Sequence, residues 1–201
     1  DFWGVSIDSC SFEDIGGDAF SFVTDLATAG PVIVRSSTVA RVAGHGFNVS
    51  ASGTSVVGNV LSEVGGDGIR LHQVAPVSAA SIVGNTTVLV RGRGIAVERD
   101  SGTVTGAAEV AHNVAAFNGR AGISVGRFAL ADVQQNDAWR NSVADFDNVT
   151  APLASNLSLD PMFCAAATGD FTLQSGSPCA PSGIYGLIGA LPVACATAPL
   201  G

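Results

Sequence analysis

The feature that most constrains the fold of this chain is a repeat of twenty-odd residues. Its clearest copy is Ser55–Leu71. Similar copies recur along the chain at Ser6–Phe22, Ile33–Val49, Ser81–Val97, Glu109–Val125 and, in degraded form, Asp132–Phe146. A period of this length is typical of a solenoid, in which each repeat forms one turn and buries its apolar side against the next turn.

Within each copy, apolar and polar residues alternate, as where Ile69 and Leu71 flank Arg70. A period of two predicts strands with one face toward the core, and no copy contains a continuous apolar helical face. Pairs of glycines separate the strand-like segments, and glycine permits the positive φ of a sharp corner. These pairs are Gly44 and Gly46, Gly66 and Gly68, and Gly92 and Gly94.

The fifth position of each copy is occupied by a small residue or an amide. It reads Cys10, Ser37, Asn59, Asn85, Asn113 and Asn136. Stacked asparagines hydrogen-bond to one another and to the backbone in arrays of parallel strands. We therefore predict an all-β fold, a right-handed parallel β-helix of about six coils in which Asn59, Asn85, Asn113 and Asn136 form a structural ladder.

The coil pattern N-x-[VTL]…G-x-G-[IF]-x-[VL] resembles the parallel β-helix repeat of pectate-lyase-like and NosD-type proteins. The tail is similar to the segment that closes many secreted bacterial β-helix proteins, in the motifs Leu159–Phe163, Gly169–Leu173, Ser177–Cys179 and Ile188–Ala190. The resemblance implies an architecture and no particular activity, because this repeat occurs in lyases, hydrolases, epimerases, adhesins and inert stalks alike.

The composition changes after the last copy, which suggests three regions. We expect the β-helix coils over 1–147, a last partial coil and a C-terminal cap over 148–195, and a tail or linker over 196–201. The cap is expected to cover the last coil. At the other end no amphipathic helix precedes the first coil, so we expect a missing N-terminal part or another molecule there.

Three of the four cysteines lie in the C-terminal region. We expect a disulfide between Cys164 and Cys179, with Cys179–Cys195 as the alternative pairing, since sequence does not determine connectivity. Cys10, in the first coil, is expected to be a small buried thiol. Disulfides form outside the cytosol, so they predict an extracellular protein, secreted or on the cell surface.

Charge and hydropathy limit the partners. The net charge is −8, and the nine positive side chains are all arginine. An acidic chain is a poor binder of nucleic acid, and no apolar run is long enough to span a bilayer. The open first coil suggests a homo-oligomer or a filament formed through the β-helix ends, and a polysaccharide is the other partner we consider.

Candidate functional residues stack at the thirteenth position of successive coils, where Asp18, His45 and Asp67 are expected one strand spacing apart. Two carboxylates and an imidazole can act as general acid and base on a glycosidic bond. The resemblance to pectate lyases implies that Arg70 can serve as the base of a β-elimination, although the calcium-binding aspartate cluster of those enzymes is absent. The segment Gly44–Gly46 resembles the Gly-His-Gly motif of β-helical polygalacturonases, although the other motifs of that family are missing.

The candidate catalytic residues are thus Asp18, His45, Asp67 and Arg70. Candidate ligand-binding residues on the same side are Asn48, His72, Arg93 and Glu98. No cofactor is predicted; Ca²⁺ is the metal ion considered, because these residues can bind a divalent cation. The alternative interpretation is structural, because polar residues belong at the corners of any soluble β-helix.

We therefore favour an extracellular structural or adhesive β-helix, able to assemble end to end or to form part of a larger surface protein. A polysaccharide-binding or polysaccharide-degrading β-helix, a lyase or a glycoside hydrolase, is the alternative. A metal-loaded secreted domain is the third hypothesis.

Overall fold

A computed structural model describes residues 4–23, 30–50, 53–73, 80–99, 106–150 and 155–196. Six coils of three strands each occupy most of it. In chain order they are β1 (Val5–Asp8), β2 (Ser11–Ile15) and β3 (Phe20–Val23); β4 (Val32–Arg35), β5 (Thr38–Val42) and β6 (Phe47–Ser50); β7 (Thr54–Val57), β8 (Val60–Val64) and β9 (Ile69–His72); β10 (Ala80–Val83), β11 (Thr86–Val88) and β12 (Ile95–Glu98); β13 (Ala108–Ala111), β14 (Val114–Ala116) and β15 (Ala121–Val125); and β16 (Ala131–Gln134), β17 (Asp137–Trp139) and β18 (Ala144–Asp147).

The strands form three parallel faces around one core. The first face has the order β1-β4-β7-β10-β13-β16, the second contains β2, β5, β8, β11, β14 and β17, and the third contains β3, β6, β9, β12, β15 and β18. Neighbouring coils are in register, so that Val34 pairs with Ile7 on one side and Val56 on the other. The predicted all-β parallel β-helix is confirmed, with about five turns between its first and last strands.

Columns of identical repeat positions fill the core. Second-position residues such as Val56 and Ile82, and fifteenth-position residues such as Phe47, Ile69 and Ile95, are completely buried. Each residue therefore packs on its counterparts in the coils above and below. A single coil has too little apolar surface to do this alone, so the fold depends on stacking.

The fifth-position asparagines form a continuous hydrogen-bonded ladder inside the first corner. Asn85 accepts from the backbone N–H of Asn59 at 3.0 Å, and its own Nδ2 donates to the carbonyl of Val56 at 2.8 Å and to Oδ1 of Asn113 at 2.9 Å. Asn113 and Asn136 repeat the pattern. The ladder extends one step beyond the predicted members, because Asn136 donates to Asn156.

The paired glycines serve a purpose different from the one expected. None of them has a positive φ; instead a Cβ on Gly46 would lie 2.4 Å from the carbonyl oxygen of Gly68, and one on Gly68 would lie 2.6 Å from that of Gly94. The left-handed backbone occurs at the fourth and ninth positions. Non-glycine residues hold the ninth position in every coil, at Asp14, Arg41, Glu63, Leu89, Phe117 and Arg140. Close approach of stacked coils, and not corner geometry, therefore selects these glycines.

The C-terminal segment does not simply cover the last coil. It contains β19 (Phe163–Ala165), a 3-10 turn (Ala166–Thr168), β20 (Asp170–Gln174) and β21 (Val193–Cys195). Its apolar residues pack against the outer side of the second face, in a cluster that includes Val88, Ala116, Phe163, Phe171, Leu173 and Ile188. The N–H of Gly189 donates to the carbonyl of His112, and that of Ala190 donates to Oγ1 of Thr86. The segment is therefore a lateral brace along several coils.

The expected cysteine pairings are both wrong. Cys164 is bonded to Cys195, and the bridge joins the two strands that flank β20. Cys179 is instead a buried free thiol that donates to Oδ2 of Asp137 at 3.1 Å. Cys10 is also free, and it is exposed, not buried, because β2 has no strand on its outer side within the described residues.

Residues 155–159 begin a further coil after β18. Leu157 forms a parallel bridge with Asp137, and Asn156 accepts from the backbone and side chain of Asn136. The division of the chain at 147 and 195 stays a prediction, and the proposed tail lies outside the described residues apart from Ala196.

The ladder leads to a first prediction, for Asn85→Ala. The substitution removes the acceptor for the buried N–H of Asn59 and the donor for the carbonyl of Val56. An unsatisfied buried polar group costs about 1–3 kcal/mol, so we expect a loss of about 3 kcal/mol in the free energy of unfolding, measured by urea denaturation.

The control is Thr168→Ala, which removes one hydrogen bond from an exposed side chain to the carbonyl of Ala165. We expect it to cost less than about 1 kcal/mol. Equal losses for the two variants would contradict a dominant role for the ladder.

Candidate functional site

The structure places all eight candidate residues on one side of the β-helix. Asp18, His45, Asp67 and Arg93 lie just before the strands of the third face, in four successive coils, and form what we name the charged corner. The other four project from the third face itself; they are Asn48 in β6, Arg70 and His72 in β9, and Glu98 in β12. The register of the coils brings them together, because Asn48 pairs with Arg70, and His72 pairs with Glu98.

The charged corner is first of all a second ladder. Oδ1 of Asp18 accepts from the backbone N–H of His45 at 2.7 Å, and Nδ1 of His45 accepts from the N–H of Asp67 at 2.9 Å. Oδ1 of Asp67 in turn accepts from the N–H of Arg93 at 2.8 Å. Each side chain thus satisfies the amide of the next coil. Because Nδ1 of His45 is an acceptor, the proton of the neutral ring lies on Nε2.

Ion pairs link the charged corner to the third face. Nη2 of Arg93 lies 2.7 Å from Oδ2 of Asp67 and 2.6 Å from Oε1 of Glu98. Nε of Arg70 donates to Oε2 of the same glutamate at 2.7 Å, and Nε2 of His72 lies 3.5 Å from that oxygen. Two guanidinium groups therefore share two carboxylates in one continuous network.

These contacts set the protonation of the carboxylates. Asp67 is only 5% exposed, and burial favours its neutral form, but the hydrogen bonds from Arg93 outweigh burial and hold its pKa below the ordinary value. Burial opposes ionisation of Glu98 too, and the hydrogen bonds from Arg70 and Arg93 lower its pKa. Both side chains are ionised at neutral pH, so neither is a ready proton donor.

Asn48 and His45 complete the surroundings. Nδ2 of Asn48 lies 3.3 Å from Oδ2 of Asp18, while its Oδ1 is buried without a hydrogen-bond partner. Nε2 of His45 lies 3.5 Å from Nη1 of Arg70. Nδ1 of the imidazole thus faces the N–H of Asp67, and Nε2 faces the guanidinium group of Arg70.

A groove of about 380 Å³ opens beside the charged corner. We name it the corner groove, and it is lined by His45, Gly65, Gly66, Asp67, Arg70, Arg91, Gly92, Arg93 and Arg120. Arg91 and Arg120 were not among the candidate residues, because they stand at the eleventh and twelfth positions and belong to no repeated column. The signal that could have found Arg91 is the segment Arg91–Arg93, which places two arginines around one corner glycine.

No cluster of three or more histidine, cysteine or acidic side chains able to hold a metal ion occurs in the described part of the chain. The proposal of a Ca²⁺ site stays a prediction. Of the two carboxylates of the charged corner, Asp67 already has an arginine partner, Arg93, which competes with a cation for the same oxygens.

A second buried ionisable site lies at the other end of the β-helix. Asp137 is completely buried; its Oδ1 accepts from the N–H of Leu159 and its Oδ2 from the thiol of Cys179. Burial raises the pKa of Asp137 to about 6 and also raises that of Cys179. Asp137 is buried because it lies on the second face, which the lateral brace covers.

The fold and the charged corner define an all-β solenoid with an ion-paired lateral surface. No family model, no curated protein and no solved structure matches the chain. The resemblance to pectate-lyase-like and NosD-type repeats therefore stays a prediction. No helix among the described residues is long and apolar enough to cross a membrane.

The ion-paired network yields a second prediction, for Arg93→Ala. The substitution leaves Asp67 buried without its guanidinium partner, which is costly. Because the pair is partly exposed, we expect a loss of about 2 kcal/mol in the free energy of unfolding at pH 7. The loss should shrink as the pH falls below 3.8, where the lowered pKa of Asp67 ceases to stabilise the fold.

Arg35→Ala is the control, because Arg35 forms an exposed ion pair with Asp8. It should change stability by less than about 0.5 kcal/mol in the same urea titrations. A comparable loss in both variants would count against a special role for the pair of Arg93 and Asp67.

The third prediction concerns Asp137. Its folded pKa of about 6 exceeds the ordinary 3.8, so the native state holds a proton that the unfolded state releases, and stability falls as the pH rises from about 4 to about 6. Asp137→Asn removes this cost. We expect it to be about 1–3 kcal/mol more stable than the parent at pH 7.5, with little difference at pH 4.

Urea unfolding at pH 4, 5, 6 and 7.5 measures the effect, and Asp132→Asn, at an exposed position of β16, is the control. A constant difference between Asp137→Asn and the parent across this range would show that the carboxyl does not titrate there.

Proposed function

We propose that this chain is an extracellular structural or adhesive β-helix domain. The observation that carries the proposal is the charged corner, where the polar side chains are committed to holding the coils together. Asp18, His45 and Asp67 each accept a backbone N–H of the next coil, and Asp67 also binds Arg93. The carboxylate of Asp67 is ionised and bound by Arg93, which makes it a poor proton donor for catalysis.

An extracellular location is supported by the disulfide between Cys164 and Cys195, since such bonds persist in oxidising compartments. The bond clamps the strands of the lateral brace, which itself packs along the second face. A rigid, disulfide-clamped solenoid suits a structural or adhesive part of a surface protein.

End-to-end assembly is supported by the first coil. Within the described residues β1, β2 and β3 each pair with a strand on one side only. Apolar side chains that point toward the core are only partly buried there; these are Ile7, Phe12, Ile15, Phe20 and Phe22. An open parallel edge above a half-buried core is the surface on which another coil can stack.

Our fourth prediction concerns assembly. It is tested by measuring the mass and shape of the purified chain with light scattering and electron microscopy. We expect oligomers or filaments whose size rises with concentration. Phe22→Asp should reduce assembly strongly, because a carboxylate at the open edge cannot be buried against a second coil. Val143→Asp, at an exposed position near β18, should not. A parent chain that stays monomeric at every concentration would refute assembly.

Polysaccharide cleavage is the second candidate function, and the convergence of His45, Asp67 and Arg70 on the corner groove favours it. A panel of neutral and acidic polysaccharides, assayed for new reducing ends and for unsaturated products, decides the matter. We expect no turnover. Turnover that disappears in both His45→Ala and Arg70→Ala, with unchanged melting temperature, would replace the structural proposal by an enzymatic one.

A further inference from the structure

We propose that the corner groove is an oxyanion-binding site that holds the carboxylate or sulfate groups of an acidic polysaccharide. Four of the nine arginines of this acidic chain line it, namely Arg70, Arg91, Arg93 and Arg120. Among the described residues, the carboxylates that pair with them are those of Asp67 and Glu98. The groove therefore has excess positive charge on a protein whose net charge is −8.

The excess positive charge of the corner groove comes from Arg91 and Arg120. Both side chains are exposed, and neither has a hydrogen bond or ion pair among the residues that the structure describes. Other arginines are engaged: Arg41 binds Glu13 and Asp14, for example. Arg91 and Arg120 thus keep all their donors available, and a guanidinium group is suited to bind a carboxylate or sulfate through two parallel hydrogen bonds.

The framework holds these two arginines in place. The backbone N–H of Arg91 donates to the carbonyl of Val64 at 2.8 Å, and that of Arg120 donates to the carbonyl of Gly92 at 3.0 Å. They stand on adjacent coils, which are about 4.8 Å apart. Their backbones need no rearrangement on binding, which lowers the entropic cost of binding.

Glycines keep the floor of the groove clear. A Cβ on Gly92 would lie 2.6 Å from Oδ1 of Asp67, and one on Gly65 would lie 2.2 Å from the carbonyl oxygen of Ala43. A side chain is therefore excluded at both positions by the stacking of the coils. The result is an open floor between the arginine side chains, so a ligand can approach the backbone closely.

The groove is long enough for a polymer. A second depression of about 530 Å³ shares Gly65 and Arg91 with it and continues past Arg41 to Asp14 in the first coil. Together the two span five coils, from Asp14 to Arg120, or about 19 Å at one strand spacing per coil. Asp14 and Glu63 also line the second depression, so the excess positive charge is confined to the corner groove. Acidic groups of a polymer would bind in the corner groove, and the second depression offers only additional length for neighbouring sugar units.

The described lining favours a polysaccharide over a nucleic acid. No phenylalanine, tyrosine or tryptophan lines either depression, so there is no platform on which bases could stack. The acidic remainder of the protein also opposes a densely charged phosphate backbone. The choice of a polysaccharide as the ligand rests on the proposed extracellular role. The positive charge of the groove is independent of that proposal.

The fifth prediction compares Arg91→Ala/Arg120→Ala with Arg127→Ala/Arg140→Ala. The control removes the same charge from exposed arginines that lie over Phe128 and Trp139, outside the groove. Dextran sulfate and neutral dextran, and polygalacturonate and its methyl ester, are the probes, used in calorimetric titrations. We expect the parent to bind at least one charged probe and neither uncharged one, with affinity falling as salt rises.

Loss of the two groove arginines should weaken that binding by at least about tenfold, since one charge-assisted hydrogen bond is worth about 1.5–3 kcal/mol. The control pair should change it less than about threefold. Melting temperatures show that both variants fold, and their assembly by light scattering should match the parent, so that failure of the groove is distinct from failure of the structural proposal.

Three results would overturn the proposal. Equal losses in the two double variants would mean that binding follows net charge and not the groove. Equal affinity for charged and uncharged probes would remove the oxyanion from the recognition. Binding of inorganic sulfate or of a single-stranded oligonucleotide, with none of the acidic polysaccharides, would assign the groove to a different ligand.

Discussion

The stacking of coils in register is the constraint on which the rest of this structure depends. Every repeat position lies above its counterpart, so one choice of side chain is repeated as a column. A buried amide at the fifth position is the choice that satisfies the most backbone, since Asn85 serves the N–H of Asn59 and the carbonyl of Val56 at once. An apolar residue there would leave those groups buried and unpaired.

The same constraint explains the charged corner. Asp18, His45 and Asp67 stack because they share a repeat position, and each accepts an amide hydrogen of the next coil. A column of polar side chains on a β-helix thus has a structural role, whether or not it also binds a ligand. Recognition has to use groups that the stacking leaves free, and Arg91 and Arg120, which belong to no column, are such groups.

The features that recur in every repeat could be predicted from the sequence. Period and alternation predicted the parallel β-helix and its core columns, because each copy reports the same environment. The glycine pairs were located correctly but explained wrongly, since Gly46 is selected by the nearby carbonyl of Gly68 and not by φ. The C-terminal segment is not repeated, so its sequence could not be compared with other copies. Its contacts with Val88 and Ala116, and its Cys164–Cys195 bond, depend on a path that no period encodes.

One signal for the lateral brace was present in the strands themselves. Strands buried on both sides lose their alternation, and Val114–Ala116 is an unbroken apolar run with all three residues buried, whereas Ile69–His72 alternates. The unbroken run marks the second face as covered around β14. The third face is covered in the same coil, since Ala121–Val125 is buried throughout, but Arg70 and Glu98 in the two preceding coils keep part of their side chains exposed. The lateral brace packs on the second face and so leaves these polar groups of the third face accessible.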